Sequence, residues 1–346
     1  MENKKMKILI TGNLGYVGPV VENYLIKKIK KAQITGLDTF FFKNNLVNFN
    51  NKTQIYDDIR NIKKISLKQF DAIIHLAAVS NDPIGNKFEN ATKNINYEAS
   101  TILLKEAIKN NVKKFVFASS CSIYGFNDGS IKNENSTVYP LTEYARSKVN
   151  FEKFAKKINL KKTQVTCLRF PTACGMSPNL RLDLVINDFV FSAINKKKIK
   201  ILSDGTPWRP IIHVKDMAKA IEWSLKRKNI KKSEPLCINV GLNTNNFKVI
   251  DMALKIKKKI KGISVSVNKK KMIDKRSYQV SFDWFLKLAP KKFHPTYTID
   301  KIITDLTFGI KKYENVRNRK FHEYFRLHEI QKLIDQNKIN KLLRWK

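Results

Sequence analysis

The segment TGNLGYVG, at Thr11–Gly18, constrains the fold of this chain more than any other stretch. It lies between a short apolar run, Lys7–Thr11, and a stretch, Val17–Lys31, in which apolar residues recur with helical spacing. A glycine-rich turn between a strand and a helix can hold a pyrophosphate, because the backbone approaches closely and the helix N-terminus attracts negative charge. We therefore predict that this loop binds a dinucleotide, through Gly12, Asn13, Leu14, Gly15, Tyr16, Val17 and Gly18.

Strands and helices alternate along the first half of the chain. Apolar runs predict further strands at Gln33–Asp38, Thr53–Asp57, Asp71–Leu76, Lys114–Ser119 and Gln164–Phe170. Helical spacing predicts helices at Asn96–Asn110 and Tyr144–Ile158. This alternation predicts an α/β fold with a doubly wound, mostly parallel sheet, the Rossmann fold.

The second half of the chain does not show the same regular alternation of strands and helices. After Arg169 the loops lengthen and prolines appear. We expect residues 1–170 to form the cofactor-binding domain and residues 171–346 to form mainly a smaller substrate-binding domain. A segment near 208–242 is expected to return to the sheet, because Cys237–Gly241 has the character of another strand. The stretch from about Lys311 is charged and helical in pattern, and it carries no recognisable motif.

The end of the second predicted strand indicates which dinucleotide is bound. Asp38 lies there, 26 residues beyond Gly12. A carboxylate at this place accepts hydrogen bonds from the adenosine ribose and repels the extra phosphate of NADP, so we predict NAD. Asp58 and Ile59 follow the third predicted strand, where the adenine edge could be held.

Composition excludes several other classes of protein. The 346 residues are 42% hydrophobic, which is enough for a core and is unlike a disordered chain. No apolar run approaches the roughly 20 residues that cross a bilayer, and Ile8–Ile10 is too short for a signal-peptide core. No His/Cys cluster has metal-ligand spacing. The four cysteines are therefore expected to be buried free thiols: Cys121, Cys167, Cys174 and Cys237. We expect a soluble, cytoplasmic protein with no metal and no membrane partner.

The formal net charge of +38 raises the possibility of a nucleic-acid partner. The lysines are spread over the whole chain in short clusters, arginine is scarce, and aromatic residues are not interleaved with the basic runs. A lysine-rich composition therefore explains the net charge better than a nucleic-acid-binding function does, and no nucleic acid is expected as a partner. The positive field would still favour a phosphorylated substrate.

Three tyrosines precede a lysine by four residues, a spacing that places both side chains on one helix face. Tyr144–Lys148 differs from Tyr24–Lys28 and Tyr297–Lys301 because it follows a strand that ends in two serines, Ser119 and Ser120. A free tyrosine has a pKa of about 10, and a nearby ammonium lowers that value. Tyr144 is thus the candidate general base, assisted by Lys148, with Ser120 bonding the substrate oxygen.

Together these motifs resemble the extended short-chain dehydrogenase/reductase superfamily, in its nucleotide-sugar epimerase/dehydratase branch, over roughly residues 6–310. TGNLGYVG is similar to the family's cofactor fingerprint, HLAAVS at 75–80 to its strand-end motif, and SSCSIYG at 119–125 to the segment with the catalytic serine. The resemblance implies NAD as the cofactor and a catalytic set of Ser120, Tyr144 and Lys148. The further cofactor contacts that it implies are Leu76, Ala77, Ala78, Asn96, Ser119, Tyr144 and Lys148.

The same resemblance implies where a substrate binds. LRFPTACG at 168–175 is similar to the segment past the sixth strand, with Thr172 in place of the family's asparagine. DGTPWRPIIHVKD at 204–216 and DKRSYQVSF at 274–282 are similar to segments whose arginines grip a nucleotide diphosphate, because the planar guanidinium matches phosphate oxygens. The substrate contacts implied are Ser80, Ser120, Ser122, Thr172, Asn187, Arg209 and Arg276.

One departure from the family bears on the reaction. Its sugar 4,6-dehydratases carry Asp-Glu directly after the catalytic Ser/Thr, where this chain has Cys121-Ser122. Neither residue is a carboxylic acid, so dehydration is not expected. Epimerisation at C4, oxidation of a sugar hydroxyl and reduction of a keto-sugar stay open, although Asp38 disfavours a reductase driven by NADPH.

The leading hypothesis is an NAD-dependent nucleotide-sugar epimerase or oxidoreductase that transfers hydride at C4, with Tyr144 as general base. Two alternatives remain: an NAD-bound, non-catalytic protein that binds nucleic acid, and a reductase or dehydrogenase of a non-nucleotide substrate on the same fold. The family resemblance also implies a homodimer, formed through the helices around Asn96 and Tyr144.

Overall fold

The structure is a computed structural model and describes residues 5–42, 46, 53–126, 129–228, 234–268, 276–312 and 321–346. The strands within these residues are β1 (Met6–Thr11), β2 (Ala32–Asp38), β3 (Gln54–Tyr56), β4 (Ala72–His75), β5 (Lys114–Ser120), β6 (Ile131–Lys132), β7 (Gln164–Phe170), β8 (Thr172–Cys174), β9 (Lys198–Ile201), β10 (Trp208–His213), β11 (Leu236–Asn239), β12 (Asn246–Lys248), β13 (Ser264–Val267) and β14 (Gln279–Val280). The α-helices are α1 (Gly18–Lys28), α2 (Asp82–Lys87), α3 (Glu89–Thr92), α4 (Ser100–Lys109), α5 (Glu143–Lys157), α6 (Val185–Lys196), α7 (Val214–Lys226), α8 (Val249–Lys259), α9 (Asp283–Leu288), α10 (Ile299–Lys312) and α11 (Arg326–Asp335).

Seven parallel strands form the central sheet, in the order β11-β7-β5-β4-β1-β2-β3. The chain proceeds outward from β1 in one direction through β2 and β3, and in the other through β4, β5, β7 and β11. This is the doubly wound order, and it confirms the predicted α/β fold. Ligands in such sheets bind at the carboxyl ends of the strands where the order reverses, which here lies between β1 and β4.

Both faces of the sheet are buried, because successive side chains of a strand point to opposite sides. Along β1, Ile8 and Ile10 belong to one core cluster and Leu9 belongs to the other. The first cluster packs against α1 and α7, and the second against α4 and α5. This two-sided burial explains why the strands appear in the sequence as continuous apolar runs rather than as alternating patterns.

The remaining strands form smaller sheets beside the central one. A three-stranded sheet has the order β12-β10-β8, and the pairs β13-β9 and β14-β6 complete the set in the described residues. Of the segment near 208–242, β11 joins the central sheet beside β7, whereas β10 pairs with β8 and β12 outside it. The division of the chain at residue 170 stays a prediction.

The helix expected to begin at Asn96 begins earlier. Asn81 caps α2 by accepting a hydrogen bond from the backbone of Ile84, and a π-helical segment, Lys93–Ala99, joins α3 to α4. All four cysteines are buried free thiols, as predicted. Among the described residues, no helix is both long enough and apolar enough to cross a membrane.

Candidate active site

One cavity of about 900 Å³ opens at the carboxyl ends of the central strands and extends to the small sheet that contains β10. Its volume lies at the upper end of the range for small-molecule and cofactor pockets. Most of the residues predicted to contact cofactor or substrate line it. They are Gly12, Gly15, Tyr16, Val17, Gly18, Asp38, Asp58, Ile59, Leu76, Ala77, Ala78, Ser80, Ser119, Ser120, Ser122, Tyr144, Lys148, Thr172, Arg209 and Arg276.

Three glycines shape the loop between β1 and α1. Gly12 has φ +72°, and a Cβ there would lie 2.6 Å from the backbone nitrogen of Ala77. A Cβ on Gly18 would lie 2.3 Å from the carbonyl oxygen of Asn13, so the first and third glycines permit close backbone packing. Gly15 lines the cavity, and among the described residues its Cβ would meet only the Gly12 carbonyl, at 3.2 Å, which leaves a cradle that a side chain would fill. This cradle at a helix N-terminus fits a pyrophosphate.

Asn13 and Leu14 do not bring their side chains to the cavity. The buried Asn13 amide donates to the Gln54 side chain at 2.8 Å and to Glu22 at 3.4 Å. Burial raises the pKa of Glu22 to about 7. The Leu14 backbone N–H donates to Asp38 at 3.1 Å and thereby joins the loop to the end of β2. Both residues hold the loop in place.

Asp38 ends β2 and lines the cavity. Its two carboxylate oxygens accept from the backbone N–H groups of Leu14 at 3.1 Å and Phe40 at 2.8 Å, and each oxygen keeps capacity for a ribose hydroxyl. Burial raises the pKa of Asp38, and these bonds and the nearby Arg326 guanidinium counteract the rise. Asp58 also lines the cavity, but its carboxylate is occupied by Arg60, at 2.5 Å.

The catalytic candidates converge on one side of the cavity. Ser120 ends β5, and Tyr144 and Lys148 lie one turn apart in α5. The Ser120 hydroxyl accepts from the backbone N–H of Ser122 at 3.1 Å, and the Lys148 ammonium donates to the carbonyl of Ala118 at 2.8 Å. The Lys148 nitrogen lies 5.5 Å from the centre of the Tyr144 ring. Strand end and helix thus present hydroxyl, phenol and amine to the same cavity.

The electrostatics of this set differ from the sequence-based expectation. Burial raises the pKa of Tyr144 to about 12, while its hydrogen bond with Ser120 acts in the opposite direction. Burial also lowers the pKa of Lys148 to about 7. A lysine with a pKa of about 7 is only partly protonated near pH 7, so it provides only part of the positive charge that was expected to lower the tyrosine pKa.

A buried polar network supports the end of β5 from behind. The Ser119 hydroxyl donates to Glu152 at 2.6 Å, and Arg169 forms an ion pair with the same carboxylate at 2.6 Å. The Arg169 guanidinium also donates to the Tyr124 hydroxyl at 3.1 Å. Glu152 lies one turn beyond Lys148 in α5, so this network fixes the helix relative to the strand. No sequence motif marked Glu152.

Asn96 and Asn187 were predicted to contact ligands, and the structure gives both amides backbone partners instead. Asn96 accepts from the Val79 N–H at 2.7 Å and donates to the Val79 carbonyl at 2.9 Å, which fixes the loop that carries Ala77 and Ala78. Asn187 is fully buried; it bonds the Gly175 N–H at 3.1 Å and the hydroxyl of Tyr16 at 3.0 Å. Neither lines the cavity.

The far side of the cavity is built from paired side chains. Arg276 forms an ion pair with Asp82 at 2.8 Å, and Arg209 donates to the backbone carbonyl of Arg276. Thr142, the cap of α5, donates to the other oxygen of Asp82 at 2.5 Å. Through Asp82 and Thr142, these contacts connect both predicted diphosphate-binding arginines to the start of α5, the helix that contains Tyr144.

Two further cavity-lining arginines were not identified from the sequence. Arg181 grips Asp183 through two bonds of 2.9 Å and donates to the Ser80 hydroxyl at 2.9 Å. Arg326 lies near the C-terminus and is 2% exposed. Arginine is scarce in this chain, and that scarcity was the one signal that could have singled out these two residues. The sequence around each of them gave no indication that its side chain lines the cavity.

Comparison with known families accounts for this arrangement. A model of the NAD dependent epimerase/dehydratase family matches residues 8–241. The chain belongs to this family. Membership confirms the family inferred from the motifs and the prediction of NAD as cofactor.

Relatives within the NAD dependent epimerase/dehydratase family include enzymes of both kinds. The uncharacterized UDP-glucose epimerase YtcB of Bacillus subtilis (strain 168) is 30% identical over 230 residues, which are 62% of this chain and 71% of that protein. The dTDP-D-glucose 4,6-dehydratase of Dictyostelium discoideum is 28% identical over 285 residues, 75% of this chain and 62% of that protein. Family membership therefore does not by itself choose between epimerase and dehydratase.

A solved structure shares the fold of this chain. The UDP-N-acetylglucosamine 4-epimerase from Methanobrevibacter ruminantium M1, in complex with UDP-N-acetylmuramic acid, superposes with a TM-score of 0.75 at 24% identity. The match covers 90% of this chain and 100% of the chain in the solved structure. It therefore extends beyond the family model's segment into the part of the chain that follows β11.

Proposed function

We propose that this protein is an NAD-dependent nucleotide-sugar epimerase or oxidoreductase that acts at a sugar hydroxyl carbon, C4, with Tyr144 as the general base. The observation that carries the proposal is the convergence of Ser120, Tyr144 and Lys148 on the cavity that also contains the glycine loop and Asp38. A binding protein would not need this set of side chains at the carboxyl ends of the strands.

The substrate class is supported by the charge on the far side of the cavity. Arg209 and Arg276 line it, and charge-assisted bonds from guanidinium groups suit the diphosphate of a nucleotide sugar. The solved relative described above was crystallised with a UDP-sugar, and the two curated relatives are named for UDP-glucose and dTDP-D-glucose. A nucleotide sugar is thus the substrate class that site and family both support.

The side chains divide the work of removing a hydride from the sugar carbon and a proton from the hydroxyl on that carbon. When bound, NAD supplies a hydride acceptor. Tyr144 takes the hydroxyl proton, and Ser120 donates a hydrogen bond to the same oxygen and keeps it within reach of the phenol. Lys148, fixed by the Ala118 carbonyl, is placed to bond the cofactor ribose.

The raised pKa of Tyr144 places a condition on this mechanism. A phenol with a pKa near 12 is a poor base at neutral pH, so the loaded site must add positive charge near the ring. A protonated Lys148 would do this if its pKa rose from about 7 once hydroxyl groups of a bound ribose replaced the lost water. The proposal therefore expects both pKa values to change on ligand binding.

The side chains beside Ser120 favour epimerisation or oxidation over dehydration. Cys121 is fully buried, and burial raises the pKa of its thiol well above the ordinary value. Ser122 lines the cavity, and its hydroxyl has no hydrogen-bond partner among the described residues, so it can serve a substrate oxygen. Neither supplies the carboxylic acid and base that elimination of water at neighbouring carbons needs.

The test is a single-turnover measurement with the full chain saturated with NAD. UDP-, GDP-, dTDP- and CDP-sugars are added in turn, and the absorbance of reduced nicotinamide is followed. A rise that persists indicates oxidation, and a rise that decays as the epimer forms indicates epimerisation. If NAD is bound and no sugar of any nucleotide gives a signal, the proposed substrate class is wrong.

Replacement of the general base separates chemistry from binding. Tyr144→Phe should lower turnover by about 10²–10⁴-fold, the usual contribution of a general base, and should leave NAD affinity nearly unchanged. Tyr297→Phe is the matched control, because Tyr297 also precedes a lysine by four residues but does not line the cavity. Turnover retained in Tyr144→Phe would exclude the phenol as base.

A further inference from the structure

The C-terminal segment, residues 321–346, forms one wall of the cavity. The sequence shows no motif here, yet Phe325, Arg326, Leu327, His328, Ile330 and Leu343 all line the space beside the glycine loop. This wall lies outside the residues that the family model matches, which end at 241. The segment is therefore a feature of this chain that the family assignment does not explain.

Contacts at its far end hold the C-terminal segment against the side of the cavity that carries Asp38. The Trp345 indole donates to the Thr39 carbonyl at 2.7 Å, and its ring lies 5.2 Å from that of Phe41. Arg60, which is paired with Asp58, donates to the carbonyls of Leu342 at 2.6 Å and Leu343 at 2.7 Å. These bonds join the segment to the loops after β2 and β3, where the adenosine half of NAD is expected.

Arg326 is the polar centre of this wall. Its Nη2 donates to the side-chain oxygen of Asn179 at 2.5 Å and to the Asn179 carbonyl at 3.2 Å. Asn179 in turn donates to the Leu14 carbonyl of the glycine loop at 2.7 Å, and the guanidinium lies 4.1 Å from the Phe42 ring centre. One bridging residue thus connects Arg326 to the loop that is expected to hold the pyrophosphate.

The second terminal nitrogen of Arg326 is unsatisfied. Nη1 is buried and has no hydrogen-bond partner among the described residues, although the side chain is only 2% exposed. A buried charged donor without a partner is costly. Burial, followed by the neighbouring Arg181 guanidinium, lowers the pKa of Arg326 to about 9 against the opposite effects of Asp183 and Asp38. Two close guanidiniums and an unused donor favour an anion in the cavity beside them.

We propose that Arg326 is a cofactor-binding residue that donates from Nη1 to the diphosphate of the dinucleotide, so that the C-terminal segment closes the cofactor site opposite the glycine loop. The diphosphate is the fitting partner because guanidinium is a donor only, and phosphate oxygens accept charge-assisted bonds. The ribose hydroxyls already have an acceptor in Asp38. The inference rests on the cofactor site and not on the sugar reaction, so its failure leaves the proposed function intact.

The test compares Arg326→Met with Arg344→Met, both freed of bound nucleotide. Arg344 belongs to the same segment and carries the same charge but does not line the cavity. Titration calorimetry with NAD, ADP and adenosine should show that Arg326→Met lowers the affinities for NAD and ADP by about tenfold or more, the value of one charge-assisted bond. The affinity for adenosine should be unchanged. Arg344→Met should bind all three as the unmodified chain does.

Two outcomes would overturn the proposal. They are an unchanged ADP affinity in Arg326→Met and an equal loss of affinity for adenosine and ADP. If Arg326→Met does not fold, hydrogen exchange of the unmodified chain decides. ADP should protect the backbone amides of 326–335 and adenosine should not, whereas equal protection by both ligands would contradict a diphosphate contact.

Discussion

The cofactor end and the substrate end of the cavity are built in different ways. At the cofactor end, two glycines of one short loop allow backbone to pack on backbone, Gly12 against Ala77 and Gly18 against Asn13. At the substrate end, side chains from distant parts of the chain hold each other, as in the pair of Arg276 and Asp82, which are 194 residues apart. Local spacing therefore specifies the cofactor end, and tertiary contacts specify the substrate end.

The largest effect should come from the backbone contact that defines the cofactor end. Gly12→Ala places a methyl 2.6 Å from a backbone nitrogen at a positive φ, and we expect a loss of about 3 kcal/mol or more in the free energy of unfolding. Gly262→Ala is the matched control, because Gly262 has the same φ of +72° and no atom of the described residues lies within 4 Å of the place that the methyl would take. The free energy of unfolding of Gly262→Ala should fall by only about 1–2 kcal/mol. Denaturant unfolding measures both.

Gly15→Ala separates binding from folding at the same loop. Its methyl meets only the Gly12 carbonyl, at 3.2 Å, and otherwise projects into the cavity. Stability should change by less than about 1 kcal/mol, while NAD affinity falls by about tenfold or more, because the methyl occupies the approach to the pyrophosphate. Equal effects of Gly12→Ala and Gly262→Ala, or an unchanged NAD affinity in Gly15→Ala, would show that this end does not depend on backbone packing.

A smaller and more selective effect is expected at the substrate end. Arg209→Met and Arg276→Met should each weaken UDP and nucleotide-sugar binding by about 10–100-fold, the value of charge-assisted bonds, with little change in NAD affinity. Arg146→Met removes a surface arginine, 41% exposed, and controls for the loss of charge. Asp82→Asn controls for the ion pair, since it breaks the pair and keeps the arginine. Calorimetry with UDP measures all four.

The same variants decide between substrate classes. If both arginine variants bind UDP as the unmodified chain does, no diphosphate is held there. The non-nucleotide reductase or dehydrogenase would then become the better hypothesis. A loss in Asp82→Asn as large as in Arg276→Met would instead show that the arginine acts only when its carboxylate partner positions it.

The difference between the two ends also explains what the sequence could predict. The strand β7 was predicted at its observed bounds, and the glycine loop, Asp38 and the Tyr144–Lys148 pair all line the cavity. Each of these signals depends on spacing within a few residues. By contrast, Arg181 reaches Ser80 across 101 residues and Arg326 reaches Asn179 across 147. No local pattern specifies such contacts.

A sequence motif can predict where a residue lies in the fold without predicting which groups its side chain bonds. The family resemblance implied ligand contacts for Asn96 and Asn187, but neither residue lines the cavity, and each directs its amide to backbone groups that hold neighbouring loops. The polarity of an asparagine is the same whether it bonds a ligand or a peptide group. Only the surrounding structure, here the N–H and C=O of Val79 and the N–H of Gly175, distinguishes the two uses.

The smallest predicted effect concerns Lys148, where the two ends meet. Its pKa in the folded protein is about 7, below the ordinary value of about 10.4. Between these values the unfolded chain binds more protons at this residue than the folded one, so its contribution to stability rises with pH. The cost of burying the ammonium is full below pH 7 and disappears above about pH 10.4. Lys148→Met removes that cost.

In the nucleotide-free protein, the free energy of unfolding of Lys148→Met minus that of the unmodified chain should therefore be larger at pH 6.5 than at pH 9.5, by at least about 1 kcal/mol. The lost bond to the Ala118 carbonyl and the changed packing contribute at both pH values, so they largely cancel in this difference. Lys156→Met removes an exposed lysine of the same helix and should show no such dependence. A difference for Lys148→Met that does not vary with pH would mean that the folded protein keeps Lys148 fully charged, and Tyr144 would then have its cationic partner before any ligand binds.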